Sequence, residues 1–169
     1  AIKVVKSGLF SPQALQRFDV ERRALAIMNH PAIARVYEAG ATPSLEPYFV
    51  MEYVSGPPIS TYCNQKSLSV RARVELMIKV CEGVQHAHQN AIIHRDLKPS
   101  NILVTEVDGQ PVPRIIDFGI AKSVEPSRPE GETNSFTQVG GILGTLGYMS
   151  PEQSDPGIVN VDTRTDVYS

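Results

Sequence analysis

The chain contains no tryptophan and only two cysteines, Cys63 and Cys81. A disulfide framework or a cysteine-based zinc site needs more than that, at ligand spacing, so both classes are excluded. The pair reads instead as two small buried side chains in a reducing compartment. Charge of one sign is also missing: 16 Lys and Arg against 18 Asp and Glu leave a formal net charge of −2. Nucleic-acid binding driven by bulk positive charge is therefore not expected. No stretch approaches the roughly 18 consecutive apolar residues of a membrane helix, and no signal peptide opens the chain. The expected address is cytoplasmic, with no membrane contact from this segment, although a longer parent protein could carry an anchor. The sequence offers nothing on oligomeric state.

What is present is a soluble, globular composition with 13 prolines and 12 glycines among 169 residues, enough chain for one domain with a core. Residues 1–5 alternate as a strand, with Lys3 on the face opposite Ile2 and Val4. Ser11-Pro12 is a helix start, followed by Leu15, Phe18, Leu25 and Met28 at helical spacing. Glu21 falls within that apolar stripe and calls for a cationic partner. Strands are expected over 34–39 and 47–53, the second ending at the break Ser55-Gly56-Pro57-Pro58. A helix is expected over about 70–90, its stripe drawn through Val70, Val74, Met77, Cys81, Val84 and His88. Residues 102–105 and 112–116 flank Asp108-Gly109 as a hairpin. Residues 124–141 are polar and rich in Pro, Gly, Ser and Thr, the composition of a long loop. Both ends run through apparent structured elements, so a fragment of a larger domain is expected, poorly stable and weakly active or inactive by itself.

The chemistry is concentrated in His94-Arg95-Asp96-Leu97-Lys98-Pro99-Ser100-Asn101 and Asp117-Phe118-Gly119. A carboxylate, an amide oxygen five residues later and a second carboxylate after a hairpin suit metal-bound phosphate. One acid can face a hydroxyl while the other two groups offer oxygens to Mg²⁺, which takes few protein ligands and shares the phosphates.

Ala1-Ile2-Lys3, Glu21, the 94–101 segment, Asp117-Phe118-Gly119 and Ser150-Pro151-Glu152 together resemble, in order, the signature set of protein kinases. The chain resembles a Hanks-type (eukaryotic-like) serine/threonine kinase, and Gly147-Tyr148-Met149-Ser150-Pro151-Glu152-Gln153 is similar to bacterial members. The resemblance implies a two-lobed α+β fold: a small β-rich lobe and hinge over 1–54 and a mainly helical lobe over 55–169, both partial. It implies ATP and Mg²⁺ as cofactors and protein Ser/Thr hydroxyls as acceptors. Lys3 would hold the α- and β-phosphates and pair with Glu21. Asp96 would be the base, Lys98 would offset charge on the transferred group, and Asn101 and Asp117 would hold magnesium.

Met51 would guard the back of the nucleotide pocket. Glu52 and Val54 would offer backbone groups to adenine, between Ala1 and Leu103. Lys98-Pro99-Ser100 and Thr145 are the serine/threonine form of the motif. Arg95, with Lys122, would receive a phosphate on the activation segment, for which Thr137 is the candidate ahead of Thr133 and Ser135. His94, Phe118, Leu25 and Val36 match four stacked positions linking the lobes, and Asp166 a buried acid that fixes the catalytic loop. His30, His86 and His88 have no catalytic role in this scheme. The alternatives are a pseudokinase or scaffold acting by binding, and a small-molecule phosphotransferase of kinase-like fold.

Overall fold

The computed structural model describes residues 1–4, 25–43, 46–118, 147–154 and 161–169. Three strands, β1 (Ile2–Val4), β2 (Val36–Ala41) and β3 (Pro47–Met51), form an antiparallel sheet in the order β1-β3-β2. Alternation sorts the faces. Lys3 sits opposite Phe49, and Phe49 is buried. Ile2 and Val4 lie on the other face, Ile2 72% exposed. β2 starts two residues later than its sequence pattern suggests and runs through Gly40. The space a side chain would need there is taken by the Tyr48 ring, with Tyr48 Oη 2.8 Å from an ideal Cβ. Gly40 is therefore a site of close approach within the strand rather than its end.

The chain leaves β3 through residues 52–58 and enters the helical part: α1 (Ile59–Gln65) and α2 (Val70–Gln89). Gly56 presses on the next hairpin, since a Cβ there would meet the Val104 carbonyl at 2.1 Å. Val104 N–H donates to Pro57 O at 3.0 Å. α2 is capped by the Ser69 side chain, which accepts from Ala72 N.

Its buried stripe differs from the expected one. Leu76, Val80, Gly83, Val84 and Ala87 face the core, whereas Val70, Val74 and Met77 are exposed, as is Cys81. The core stripe contains Gly83 where β5 packs close. A Cβ on Gly83 would touch Ile115 Cδ1 at 3.0 Å and Ala32 Cβ at 3.1 Å. Only one cysteine meets its expectation: Cys63 is buried.

A 3₁₀ turn (Pro99–Asn101) leads into the hairpin β4 (Ile102–Val107) and β5 (Gln110–Ile115). The Asp108-Gly109 turn has φ of 51° and 73°, both positive, the requirement of a type I′ hairpin turn. Two short helices, α3 (Pro151–Ser154) and α4 (Arg164–Tyr168), complete the described chain. The main core joins Leu25, Met28, Ile33 and Phe49 to Val80, Val84, Ala87, Leu97, Ile102, Ile115 and Phe118. Each large apolar side chain buried there contributes about 1.5–3 kcal/mol, so this cluster holds the sheet to the helical part. Among the described residues no helix is long and apolar enough to cross a membrane.

Candidate active site

The hairpin does what the sequence requires of it. Asn101 O accepts from Ile116 N at 2.9 Å, which brings Asn101 beside the residue preceding Asp117. Asn101 Nδ2 donates to Asp96 O at 2.8 Å and to Asp96 Oδ2 at 3.0 Å. Lys98 Nζ lies 2.8 Å from the same Asp96 Oδ2. The amide nitrogen of Asn101 is thus turned to Asp96, and its Oδ1 is the atom left to accept. Lys3 Nζ reaches Asp117 Oδ1 at 2.9 Å across the gap between the sheet and the hairpin. Both side chains are partly exposed, and an ion pair of this kind is worth at most about 1 kcal/mol. It positions charge; the apolar cluster beneath it supplies the cohesion.

The loop from His94 to Asp96 is tied down from several sides. Asp166, 4% exposed, accepts from His94 N on Oδ2 and from Arg95 N on Oδ1, both at 2.8 Å. His88 Nε2 is 2.8 Å from Asp166 Oδ2. Arg95 has φ of 63°, a left-handed conformation that costs a non-glycine residue about 1–2 kcal/mol. A hydrogen bond to a charged acceptor returns about 1.5–3 kcal/mol, so the two amide bonds to Asp166 outweigh that strain. Asp117 is also left-handed, with φ of 57°.

His94 is fully buried, its ring 4.7 Å from that of Phe118. Nε2 faces Ile116 O at 3.0 Å and Nδ1 faces Asp96 N at 3.3 Å. A carbonyl on one nitrogen and an N–H on the other select the neutral Nε2-H tautomer. Burial pushes its pKa below the ordinary value of 6.5, against the opposing bond to Ile116. Glu152 is held below the usual carboxylate range first by the Thr165 hydroxyl, which donates to it at 2.6 Å.

The cavity between the sheet and the hairpin is lined by Lys3, Leu25, Val36, Phe49, Met51 and Asp117, among others, with a volume of about 430 Å³ including its open mouth. Lys3, Met51 and Asp117 therefore share one cleft. Ala1, Glu52, Val54 and Leu103 do not line it. Ala1 exchanges backbone hydrogen bonds with Met51, its N and O at 2.6 and 2.8 Å from Met51 O and N. Glu52 is occupied otherwise: its N–H donates to Arg35 O at 2.8 Å, and its carboxylate takes Arg35 N at 3.2 Å and Arg114 at 3.4 Å. Its carbonyl is the group it can offer a ligand. Val54 is buried, and Leu103 lies on β4 opposite Arg114.

Glu21, Lys122, Thr137 and Thr145 lie outside the described residues; among the described residues Lys3 pairs with Asp117. His88, expected to have no catalytic role, contacts Asp166 across 78 positions of sequence. No local pattern signals such a pair.

Among the described residues no three His, Cys, Asp or Glu side chains gather as a metal cluster. The oxygens available are the Asn101 amide and the Asp117 carboxylate. That donor set fits Mg²⁺, which binds one or two protein groups together with phosphates, and does not fit zinc.

The family model described as the protein kinase domain matches residues 1–169. The chain belongs to the protein kinase domain family. It is 38% identical over 171 residues to Serine/threonine-protein kinase Pkn1 of Myxococcus xanthus, aligning over 100% of this chain and 23% of that protein. Serine/threonine-protein kinase PknB of Mycobacterium tuberculosis is 37% identical over 174 residues, covering 100% of this chain and 26% of the relative. The chain thus spans about a quarter of the length of these relatives. The crystal structure of the Mycobacterium tuberculosis PknI kinase domain superposes with a TM-score of 0.67 at 22% identity, over 98% of this chain and 57% of that one. The fold is the two-lobed α+β architecture of kinases, a β-rich lobe against a helical one.

Proposed function

We propose that this chain is the catalytic part of a protein serine/threonine kinase, which transfers the γ-phosphoryl group of ATP to Ser or Thr hydroxyls of proteins with Mg²⁺. Residues 1–54 would form the nucleotide-side lobe and hinge, and 55–169 the acceptor-side lobe. The observation that carries this reading is the joined network Lys98–Asp96–Asn101 beside the Lys3–Asp117 pair, in a chain of this family. Asp96 takes the proton of the acceptor hydroxyl. Lys98, already on Asp96, offsets charge growing on the transferred group. Lys3 holds phosphate oxygens at the mouth of the apolar cavity, and Met51 closes its back. Asn101 Oδ1 and Asp117 would hold Mg²⁺, which when bound neutralises phosphate charge. The Glu52 carbonyl and Val54 amide would meet the adenine edge, with Ala1 and Leu103 on its faces. Arg95 and Lys122 would receive a phosphate on Thr137, and Thr145 would contact the catalytic loop.

The test is transfer from γ-labelled ATP by the intact protein to a generic basic protein, with small alcohols and aminoglycosides as competing acceptors. Phosphoserine or phosphothreonine is the expected product. Label on a small molecule, or ATP binding without any transfer, would contradict the proposal.

A further inference from the structure

The peptide at Arg95 is gripped at both ends, and only one grip belongs to Asp166. Its N–H goes to Asp166 Oδ1. Its carbonyl accepts from Gln153 Nε2 at 2.6 Å, across 58 positions of sequence. The other end of the Gln153 amide is also committed: Oε1 accepts from Ser150 N at 3.2 Å and lies 3.4 Å from Ser150 Oγ. An N–H facing one end and a carbonyl facing the other fix the orientation of this amide without ambiguity. Ser150 is fully buried, and its hydroxyl lies 3.5 Å from Thr165 Oγ1, one residue from Asp166. Arg95 itself is the left-handed residue directly before Asp96. A non-glycine residue keeps such a conformation only where its surroundings over-determine it.

We propose that Gln153 is a positioning residue for phosphoryl transfer. Its side-chain amide locks the Arg95 carbonyl to the Ser150 segment and so fixes the direction in which Asp96 leaves the strained turn. The proposal rests on the kinase reading above. It makes the geometry of the catalytic loop depend on segment 147–154: a shift of that segment is passed to Asp96 through one amide. Leucine at 153 removes both hydrogen bonds. Glutamate keeps the acceptor for Ser150 N but sets a carboxylate against the Arg95 carbonyl. Once protonated, its O–H can donate to that carbonyl again.

The experiment compares intact wild type, Gln153→Leu and Gln153→Glu by amide hydrogen exchange over residues 94–97 and by steady-state kinetics at neutral pH. Exchange in 94–97 is expected to rise about tenfold in Gln153→Leu, and kcat to fall about tenfold with the KM for ATP within about twofold. Gln153→Glu should lose kcat as well, because an ionised carboxylate cannot donate to the Arg95 carbonyl. Unchanged exchange in both variants overturns the proposal. So does a kcat of Gln153→Leu within about twofold of wild type, or a loss appearing equally in the KM for ATP. A wild-type protein that transfers no phosphate would defeat the kinase reading instead, and the exchange measurement would still decide whether Gln153 grips the loop.

Discussion

The two sides of the cleft are built to different standards. On the helical side, Asp96 sits in a loop where the His94 and Arg95 amides end on a buried carboxylate and His94 packs against Phe118. On the sheet side, Lys3 lies on β1 opposite Phe49 and meets Asp117 through a partly exposed ion pair. Beside it, Glu52 meets Arg114 at 3.4 Å, again through partly exposed side chains. Buried bonds to charge hold geometry, whereas exposed pairs break and re-form cheaply. On the proposed kinase reading, the difference would put rigidity where a proton is taken from a hydroxyl and looseness where a nucleotide enters and leaves.

The largest expected effect lies on the rigid side. Asp166→Ala leaves the His94 and Arg95 amides without their acceptor, and should cost about 3 kcal/mol in urea unfolding of the intact protein. A loss below about 1 kcal/mol would erase the contrast between the two sides. Next comes the loose side: Lys3→Met should leave stability nearly unchanged and lower kcat/KM about a hundredfold. A large fall in melting temperature instead would show that the ion pair is structural.

The smallest effect concerns His94. Its folded pKa is depressed, so below pH 6.5 the unfolded chain takes up the proton first. The stability from keeping His94 neutral is complete above that pH and is lost as pH falls through the window beneath it. Melting temperature should therefore drop between pH 7.5 and 5.5, and drop less in His94→Phe. Equal drops in both proteins would remove His94 from the account.

The sequence disclosed those parts of the structure that are local or motif-bound. Asp108-Gly109 requires its hairpin, the hairpin brings Asp117 back to Asn101, and the Asp96–Asn101 spacing closes into hydrogen bonds. Long-range packing was harder to read. The inward face of α2 includes Gly83, whose smallness admits Ile115 of β5, while Val70, Val74 and Met77 lie on its exposed face. Of the stripe expected from hydrophobicity, Val84 is buried, whereas Val70, Val74, Met77 and Cys81 are exposed. The Gln153 and His88 contacts join residues more than 50 positions apart and follow from no periodicity. At the hinge the recognition groups expected are backbone atoms of Glu52 and Val54, which leave little trace in side-chain identity.

The central claim is that Asp96 takes the proton of a protein Ser or Thr hydroxyl. The most direct measurement is the rate of phosphoryl transfer by Asp96→Asn in the intact protein at saturating ATP and Mg²⁺. The account predicts a fall of about a thousandfold, with ATP affinity within a few-fold of wild type. Transfer within about tenfold of the wild-type rate would contradict it.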